Sequence, residues 1–337
     1  NIVFSPLSMN TALGMAFLGA MDLTRGVFEK ACHFSSDSNY SHAAAAALVK
    51  KLVSSSKDLK FSLENRIEIS RIVKMQPVYV KALKTWYAPT RAVSQPPTRL
   101  LALINTTTFS GTWQAGFDKR RTRHRAFTIP GGGKVQVPTM NQVKNLPVYL
   151  GRQFQAVKLM YKGRSYSMLI FLPSAAKPLA AVEKAVLNSL KTSESGMDFL
   201  FLFSTRRVTL YLPRFSFRVI DYDLRSPLKN MGFDIMAPAM KNFLGMFLPS
   251  AITKGRGISA ISQTVSIDVS EKGTVAKAVS RVVFGVMSPR PRPLPPVVFD
   301  VNRPFLFALV HNDTGTLLFL GRVTNPRVKK WTPAFPN

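Results

Sequence analysis

One cysteine in 337 residues, Cys32, excludes an intrachain disulfide, so the fold must hold without covalent cross-links. A lone cysteine is silent on the compartment. Histidine is nearly as scarce. His33, His42, His124 and His311 are scattered along the chain, and none stands in an HExxH or similar metal-binding spacing. Cys32 precedes His33, but adjacency in sequence does not make a catalytic pair. Ser5, Ser8 and Ser288 lack the G-x-S-x-G surround of a hydrolase nucleophile. The run Gly131-Gly132-Gly133-Lys134 lacks the spacing and the Ser/Thr of a phosphate loop, so nucleotide binding is rejected. An enzyme is therefore not expected, nor a metal or cofactor. No apolar run is long enough to span a membrane, and the first residues have no signal-peptide layout. The chain opens directly on a helix start, so Asn1 is not expected to be a natural N-terminus, and a signal peptide would have been lost ahead of it.

Acidic residues are the other shortage. Against 17 Asp and Glu stand 46 Lys and Arg, a net charge of +29 at pH 7. A field of that size favours a polyanionic partner, whether nucleic acid, a heparin-like glycan or an acidic membrane surface. With 46% hydrophobic residues the chain can bury a sizeable core as one large domain or two small ones. N-x-Ser/Thr sequons occur at Asn39, Asn105 and Asn312, and the polar surroundings of Asn39 could accommodate a glycan, which points modestly to a secreted protein.

Several elements can be read in order. Ser5 suits an N-cap and Pro6 the first helical turn, and the apolar residues from Leu7 to Leu18 leave almost no polar face, so this helix is buried on most sides. An alanine-rich helix is expected over Ser41 to Ser56, with Lys50, Lys51, Lys57 and Lys60 in and after it. Alternation over Phe61 to Val73 predicts a strand, and Val78 to Tyr87 a short helix. From Thr98 a long β-rich run passes Asn105 and Trp113. The densest basic cluster, Lys119, Arg120, Arg121, Arg123 and Arg125, precedes a turn at Pro130 to Gly133. Met168 to Pro173 reads as a buried strand, Leu179 to Leu190 as an amphipathic helix, and Val208 to Phe215 and Ile258 to Val269 as further strands. An apolar hairpin closes the fold over Phe305 to Val323.

The stretch from Ile267 to Pro296 is different. After Gly273 the side chains alternate: Thr274, Ala276, Ala278, Ser280, Val282, Phe284 and Val286 form an uncharged set, while Lys277 and Arg281 fall on the other. Period two with one dry face is the pattern of a half-buried strand, yet a glycine in front and a proline run behind mark a loop. The residues fit an ordinary strand and linker, or a segment that is an exposed loop in one state and an inserted strand in another.

Glu271-Lys272-Gly273-Thr274-Val275-Ala276, followed by Arg303-Pro304-Phe305-Leu306-Phe307 and His311-Asn312-Asp313-Thr314-Gly315, resembles the hinge and C-terminal signature of the serpins. The helix after Ser5, the Asn105 and Trp113 run, Pro213-Arg214-Phe215 with the Tyr222-Asp223-Leu224 that follows, and Phe243-Leu244-Gly245-Met246 are similar to family segments in the same order, and the resemblance implies a helix start at Tyr222 to Leu224. The TRLLALIN and NDTGTLLFLGRV stretches look most like the plasminogen-activator-inhibitor and nexin branch. The resemblance implies an α+β fold: a central, mostly antiparallel sheet with further sheets, surrounding helices and an exposed reactive loop. It implies a single domain over 1–326, N-terminally incomplete and with an internal deletion near 92–98, a reactive loop at 271–298 and a tail at 327–337. The family's first helix and the helix that covers the central sheet are missing, which is expected to leave apolar surface of that sheet facing water.

The implied function is suicide inhibition of a serine-type endopeptidase, by way of a covalent acyl complex and insertion of the cleaved loop as a new strand. Loop insertion in serpins is a standard example of switching by order and disorder. Glu271, Gly273, Thr274, Ala276 and Ala278 would form the hinge. Ser5, Ser8, Asn105, Trp113 and Gln263 would lie where the loop enters and the sheet opens. Seventeen residues counted from Glu271 end at Met287, so the reactive bond is expected between Met287 and Ser288. Arg290 is the runner-up, although Pro291 makes its bond a poor substrate. Methionine suits an elastase- or chymotrypsin-like pocket and arginine a trypsin-like one. Lys50, Lys51, Lys57, Lys60 and the cluster from Lys119 to Arg125 are candidates for a heparin-like glycan that would modulate the protein. A secreted, glycosylated monomer is expected, with no nucleic-acid partner. The alternatives are a non-inhibitory serpin that binds a polyanion or other ligand, or a truncated, non-functional gene product.

Overall fold

The computed structural model describes residues 1–70, 74–88, 90–93, 101–175, 177–192, 202–230, 243–248, 258–274 and 295–327. Within them the strands form two mixed sheets. The seven-stranded sheet runs β11 (Phe215–Asp223), β12 (Ala260–Val269), β5 (Leu101–Thr112), β3 (Leu59–Ile69) and β2 (Ser54–Ser55), with β4 (Thr90–Val93) on β3 and β13 (Gly273–Thr274) on β5. The nine-stranded sheet runs β1 (Ile2–Phe4), β16 (Leu317–Val323), β15 (Phe305–His311), β9 (Tyr166–Pro173), β8 (Phe154–Met160), β7 (Lys134–Leu150), β10 (Ser204–Pro213) and β14 (Val297–Asp300), with β6 (Arg123–Thr128) on β7. Six helices accompany them among the described residues: α1 (Pro6–Phe17), α2 (Asp22–Cys32), α3 (Ser38–Leu52), α4 (Pro77–Trp86), α5 (Leu179–Thr192) and α6 (Arg225–Asn230).

Most expected elements are present, with shifted ends. The Ser5 hydroxyl accepts from the Ser8 amide and caps α1, whose Leu7, Leu13, Met15 and Phe17 are buried. The alanine-rich helix starts earlier than Ser41 because Asp37 caps the amides of Asn39 and Tyr40, and it stops at Leu52. Asp223 accepts from the Arg225 amide, so α6 begins just after the expected Tyr222 to Leu224 start, and Tyr222 and Asp223 still belong to β11. The chain does not open directly on a helix. Ile2, Val3 and Phe4 pair with Arg322, Gly321 and Leu320, a contact between chain ends that no local pattern shows. The sequence reading also lacked α2, which buries Phe28 beside Phe17 with ring centroids 5.9 Å apart.

The two sheets meet across a core rich in phenylalanine. Phe215 lies 5.6 Å from Phe305 and 5.2 Å from Phe307, and both of its partners come from the closing hairpin. Each such ring taken from water contributes roughly 1.5–3 kcal/mol. A second cluster packs α1, α2 and α4 beneath the lower halves of β3, β5 and β12, and a third sets α5 on β9 and β15.

The outer face of the seven-stranded sheet corrects one expectation. In place of bare apolar surface it carries Lys60, Ser62, Glu64 and Arg66 on β3, Thr106, Thr108 and Ser110 on β5, and Ser266 and Asp268 on β12. Its apolar members on β5, Ala102 and Ile104, are buried. Period two put the hydroxyls and charges outward and the large side chains inward, so this face tolerates water without a covering helix.

Candidate functional site

The strands β5 and β12 run parallel, with Ala260 to Ser266 opposite Ala102 to Thr108, while their outer neighbours β3 and β11 are antiparallel to them. Beyond Val269 the chain reverses in a tight turn: the Ser270 amide donates to the Gly273 carbonyl at 2.9 Å and the Gly273 amide to the Ser270 carbonyl at 3.1 Å. The returning strand β13 then pairs antiparallel with the end of β5, Gly273 opposite Thr112 and Thr274 opposite Gly111. A chain that reverses out of β12 runs antiparallel to both members of a parallel pair, so the first residues after the turn are aligned with the seam between them. Gly273 has φ +133°, and a Cβ there would overlap the Gly111 carbonyl oxygen, so only glycine fits.

Four residues fasten the turn. Trp113 Nε1 donates to the Ser270 carbonyl at 2.9 Å and its backbone amide to the Lys272 carbonyl at 3.0 Å, while its indole stacks on Tyr161 at 4.4 Å. The Phe117 amide donates to the Glu271 carbonyl at 2.9 Å. The Glu271 carboxylate, 1% exposed, accepts from Thr122 Oγ1 at 2.6 Å and from Arg214 Nε at 2.8 Å, with the Arg214 terminal nitrogen beside it as an ion pair. Burial pushes the Glu271 pKa up, but the hydrogen bonds from Arg214 and Thr122 outweigh it and hold the group below the ordinary glutamate value. Arg214 and Thr122 were not among the expected site residues. The signal available was a lone acid in the hinge and an arginine in the Pro213-Arg214-Phe215 motif.

Lower in the sheet, Ser5, Ser8, Asn105 and Gln263 come together, and Thr11, Asn65 and Thr107 join them. Ser8 Oγ donates to Asn105 Oδ1 at 2.5 Å, Thr107 Oγ1 to the same oxygen at 3.0 Å, and Asn105 Nδ2 to Asn65 Oδ1 at 2.7 Å and to Thr11 Oγ1 at 3.1 Å. The Ser5 amide donates to Gln263 Oε1 at 2.8 Å, while the buried Gln263 Nε2 has no hydrogen-bond partner among the described residues. This network ties α1 to the underside of the seam. Trp113, grouped with these residues on sequence grounds, stands apart at the far end of β5, on the turn.

Ala276, Ala278, Met287, Ser288 and Arg290 lie outside the described residues, and so does the side chain of Thr274. Lys50 and Lys51 close α3, and with Lys57 and Lys60 they are exposed. The neighbouring acid, Asp58, is paired with Lys162 at 2.8 Å. In the second basic cluster Lys119, Arg120, Arg121 and Arg123 are exposed, but Arg120 pairs with Asp118, and Arg125 is held by Asp300 at 2.8 Å beneath the Tyr211 ring. Among the sequons Asn39 is exposed, whereas Asn105 is wholly buried and the Asn312 amide donates to the Arg164 carbonyl. Among the described residues no three His, Cys, Asp or Glu side chains cluster to hold a metal, and no helix is long and apolar enough to cross a membrane.

The serpin (serine protease inhibitor) family profile matches residues 1–95 and 90–326. Glia-derived nexin of Mus musculus is 34% identical over 235 residues, covering 67% of this chain and 55% of the nexin, so the match spans about half of that relative. Plasminogen activator inhibitor 1 of Neovison vison is 29% identical over 367 residues, 97% of this chain and 87% of that one. Among solved structures, native protease nexin-1 with heparin superposes with a TM-score of 0.80 at 26% identity, over 97% of this chain and 93% of that one. Thyroxine-binding globulin in complex with thyroxine gives a TM-score of 0.81 at 22% identity, over 97% and 93%, a likeness of fold alone.

Proposed function

The chain belongs to the serpin family, in its nexin and plasminogen-activator-inhibitor branch, and from that premise we propose that it inhibits a serine protease as a suicide substrate. The observation that carries the reading is β13: the chain after Gly273 already runs antiparallel to β5 at the open end of the parallel seam.

Extending two registers forward supports it. Gly273 pairs with Thr112 on one side, and Ser270 with Gly273 on the other. Continued residue by residue, both registers would set Ser280 between Asn105 and Gln263, which now face each other across the closed seam. Ala276 and Ala278 would meet Phe109 and Thr107 on the inner face, and Lys277 and Arg281 would meet Thr108 and Ile104 on the outer one. The small residues therefore fall where the core is closed, and the charges on the opposite, outer face. Insertion replaces one parallel pairing with two antiparallel ones.

In this mechanism the protease serine attacks the Met287 carbonyl carbon, the bond to the Ser288 nitrogen breaks, and the acyl-enzyme ester is carried away as the loop inserts. The hydrolytic water then meets a distorted active site. The proposed boundaries are one domain over 1–326, a reactive loop at 271–298 and a tail at 327–337. The proposed setting is extracellular and monomeric, with Asn39 as glycan acceptor and the exposed lysines of α3 and β3 as the surface for a heparin-like glycan. Incubation with elastase-, chymotrypsin- and trypsin-like proteases tests the central claim. An SDS-stable complex with the catalytic serine ester-linked to Met287 is expected. Cleavage of the loop by all three without such a complex favours the non-inhibitory reading.

A further inference from the structure

A cavity of about 640 Å³ lies beside the hinge turn, on the outer side of β11 and β12, and its size is within the range of about 300–1,000 Å³ usual for ligand sites. Asp268, near the end of β12, lines it together with Arg214 and Ser270, which stand just beyond the paired Phe215 and Val269. A second side belongs to β7, where Pro138 faces the space and its carbonyl accepts from the Arg214 amide at 2.9 Å. Pro326 and Arg327 make the third, and Arg327 Nε is fixed to the Gln136 carbonyl at 3.0 Å. Asp268 and Arg327 are exposed, so the cavity opens to solvent.

The charge of Arg214 is met by Glu271, and an ion pair in the guanidinium plane leaves the flat faces free to stack on an aromatic ring. Pro138, Pro326 and the aliphatic stem of Arg327 add apolar surface. Asp268 is the one acid among the described lining residues and is in none of the ion pairs between described residues. Such a site fits an aromatic ring with a cation beside it. Residues 328–337, which lie outside the described ones, follow directly from Arg327 and carry Lys329, Lys330, Trp331 and Phe335. We propose that this cavity is the docking site of that segment, with the Trp331 ring between Arg214 and the two prolines and Lys329 or Lys330 on Asp268. An extended chain spans at most about 3.6 Å per residue, so Trp331 stays within roughly 14 Å of Arg327, itself a lining residue. Attachment at the rim gives the segment an effective concentration in the millimolar range, which any separate partner must exceed. Pro333 and Pro336 narrow the undocked ensemble and so lower the entropic cost of docking. The docked segment braces Arg214 and Ser270, and through them the turn at Gly273.

Carbodiimide joins a carboxylate to an amine in direct contact. Applied to the full chain and read by peptide mass spectrometry, it is expected to link Asp268 to Lys329 or Lys330 as the main product of those two lysines. In Trp331→Ala the yield of that link is expected to fall about fivefold, and hydrogen exchange at the Ser270 and Gly273 amides to quicken by about the same factor. Thr332→Ala removes neither ring nor charge and is expected to change neither quantity. A mixture of unlabelled and isotope-labelled chains separates docking on the same chain from docking on a second copy, and links mainly between the two kinds overturn the proposal in favour of a dimer. Links from Lys329 and Lys330 spread over other exposed acids such as Glu64 and Asp118, or unchanged yield or exchange in Trp331→Ala, overturn it outright.

Discussion

Asn105 and Gln263 stand directly opposite one another across the parallel seam of β5 and β12, both buried, and each is tied to α1 through a different serine. A strand entering the seam must part this pair, so the seam is closed by polar contacts that can be exchanged as well as by packing. Asn105 also reaches Asn65 on β3, which links two strands and one helix at a single side chain.

Asn105→Leu keeps the branched shape but removes the acceptor of Ser8 Oγ and the donor to Asn65 Oδ1 and Thr11 Oγ1. The expected cost is about 2–4 kcal/mol in chemical denaturation, against about 1 kcal/mol for Ser8→Ala, whose lost hydroxyl leaves Asn105 Oδ1 still bonded to Thr107. Equal losses in the two variants would show that Asn105 is not the centre of the network.

Arg214→Met leaves the buried Glu271 carboxylate with Thr122 and its own backbone amide. Because Arg214 is 42% exposed, the loss is expected at the modest level of about 1–3 kcal/mol, read as a lowered Tm. The pH dependence follows from the depressed Glu271 pKa. Its contribution is complete above the ordinary glutamate range, near pH 4.3, and is lost as pH falls through the lower folded value. In Arg214→Met that acid-side loss is expected to begin at higher pH than in the parent chain, and an unshifted acid limb counts against the pair as the hinge anchor.

Burial, and secondarily the charge of Arg25, pushes the His42 pKa down to about 4. A base depressed in the fold binds its proton more readily when unfolded, so stability is expected to fall by about 3 kcal/mol as pH drops from 6.5 to 4. His42→Phe gives up the 2.7 Å bond to the Tyr87 hydroxyl but is expected to flatten this slope. Denaturation curves across that range decide it.

Ala278→Glu puts a carboxylate where the extended register meets Thr107 on the inner face. Cleavage by the target protease is expected to continue while the SDS-stable complex and the rise in Tm on cleavage disappear. Met287→Arg is expected to move cleavage to trypsin-like proteases. A dominant cut after Arg290 in the parent chain would relocate the reactive bond.

Replacing Lys50, Lys51, Lys57 and Lys60 by alanine is expected to lower the salt concentration at which the chain leaves a heparin column by more than replacing Lys119, Arg121 and Arg123 does. Retention alone is uninformative at +29, since counterion release holds any such protein. A larger shift from the second set would move the glycan surface to β6.

Local chemistry was enough for what depends on near neighbours. The Gly273 turn and the Ser5 cap lie in short windows, where backbone permissiveness and a local side-chain oxygen act directly. Tertiary structure alone decided the rest. It paired β1 with β16, brought Arg214 and Thr122 to Glu271, and withdrew Arg125 onto Asp300. In each case the partners come from separate strands, and which charge or amide meets which is settled by strand order and register, quantities summed over the whole chain that no window of sequence contains.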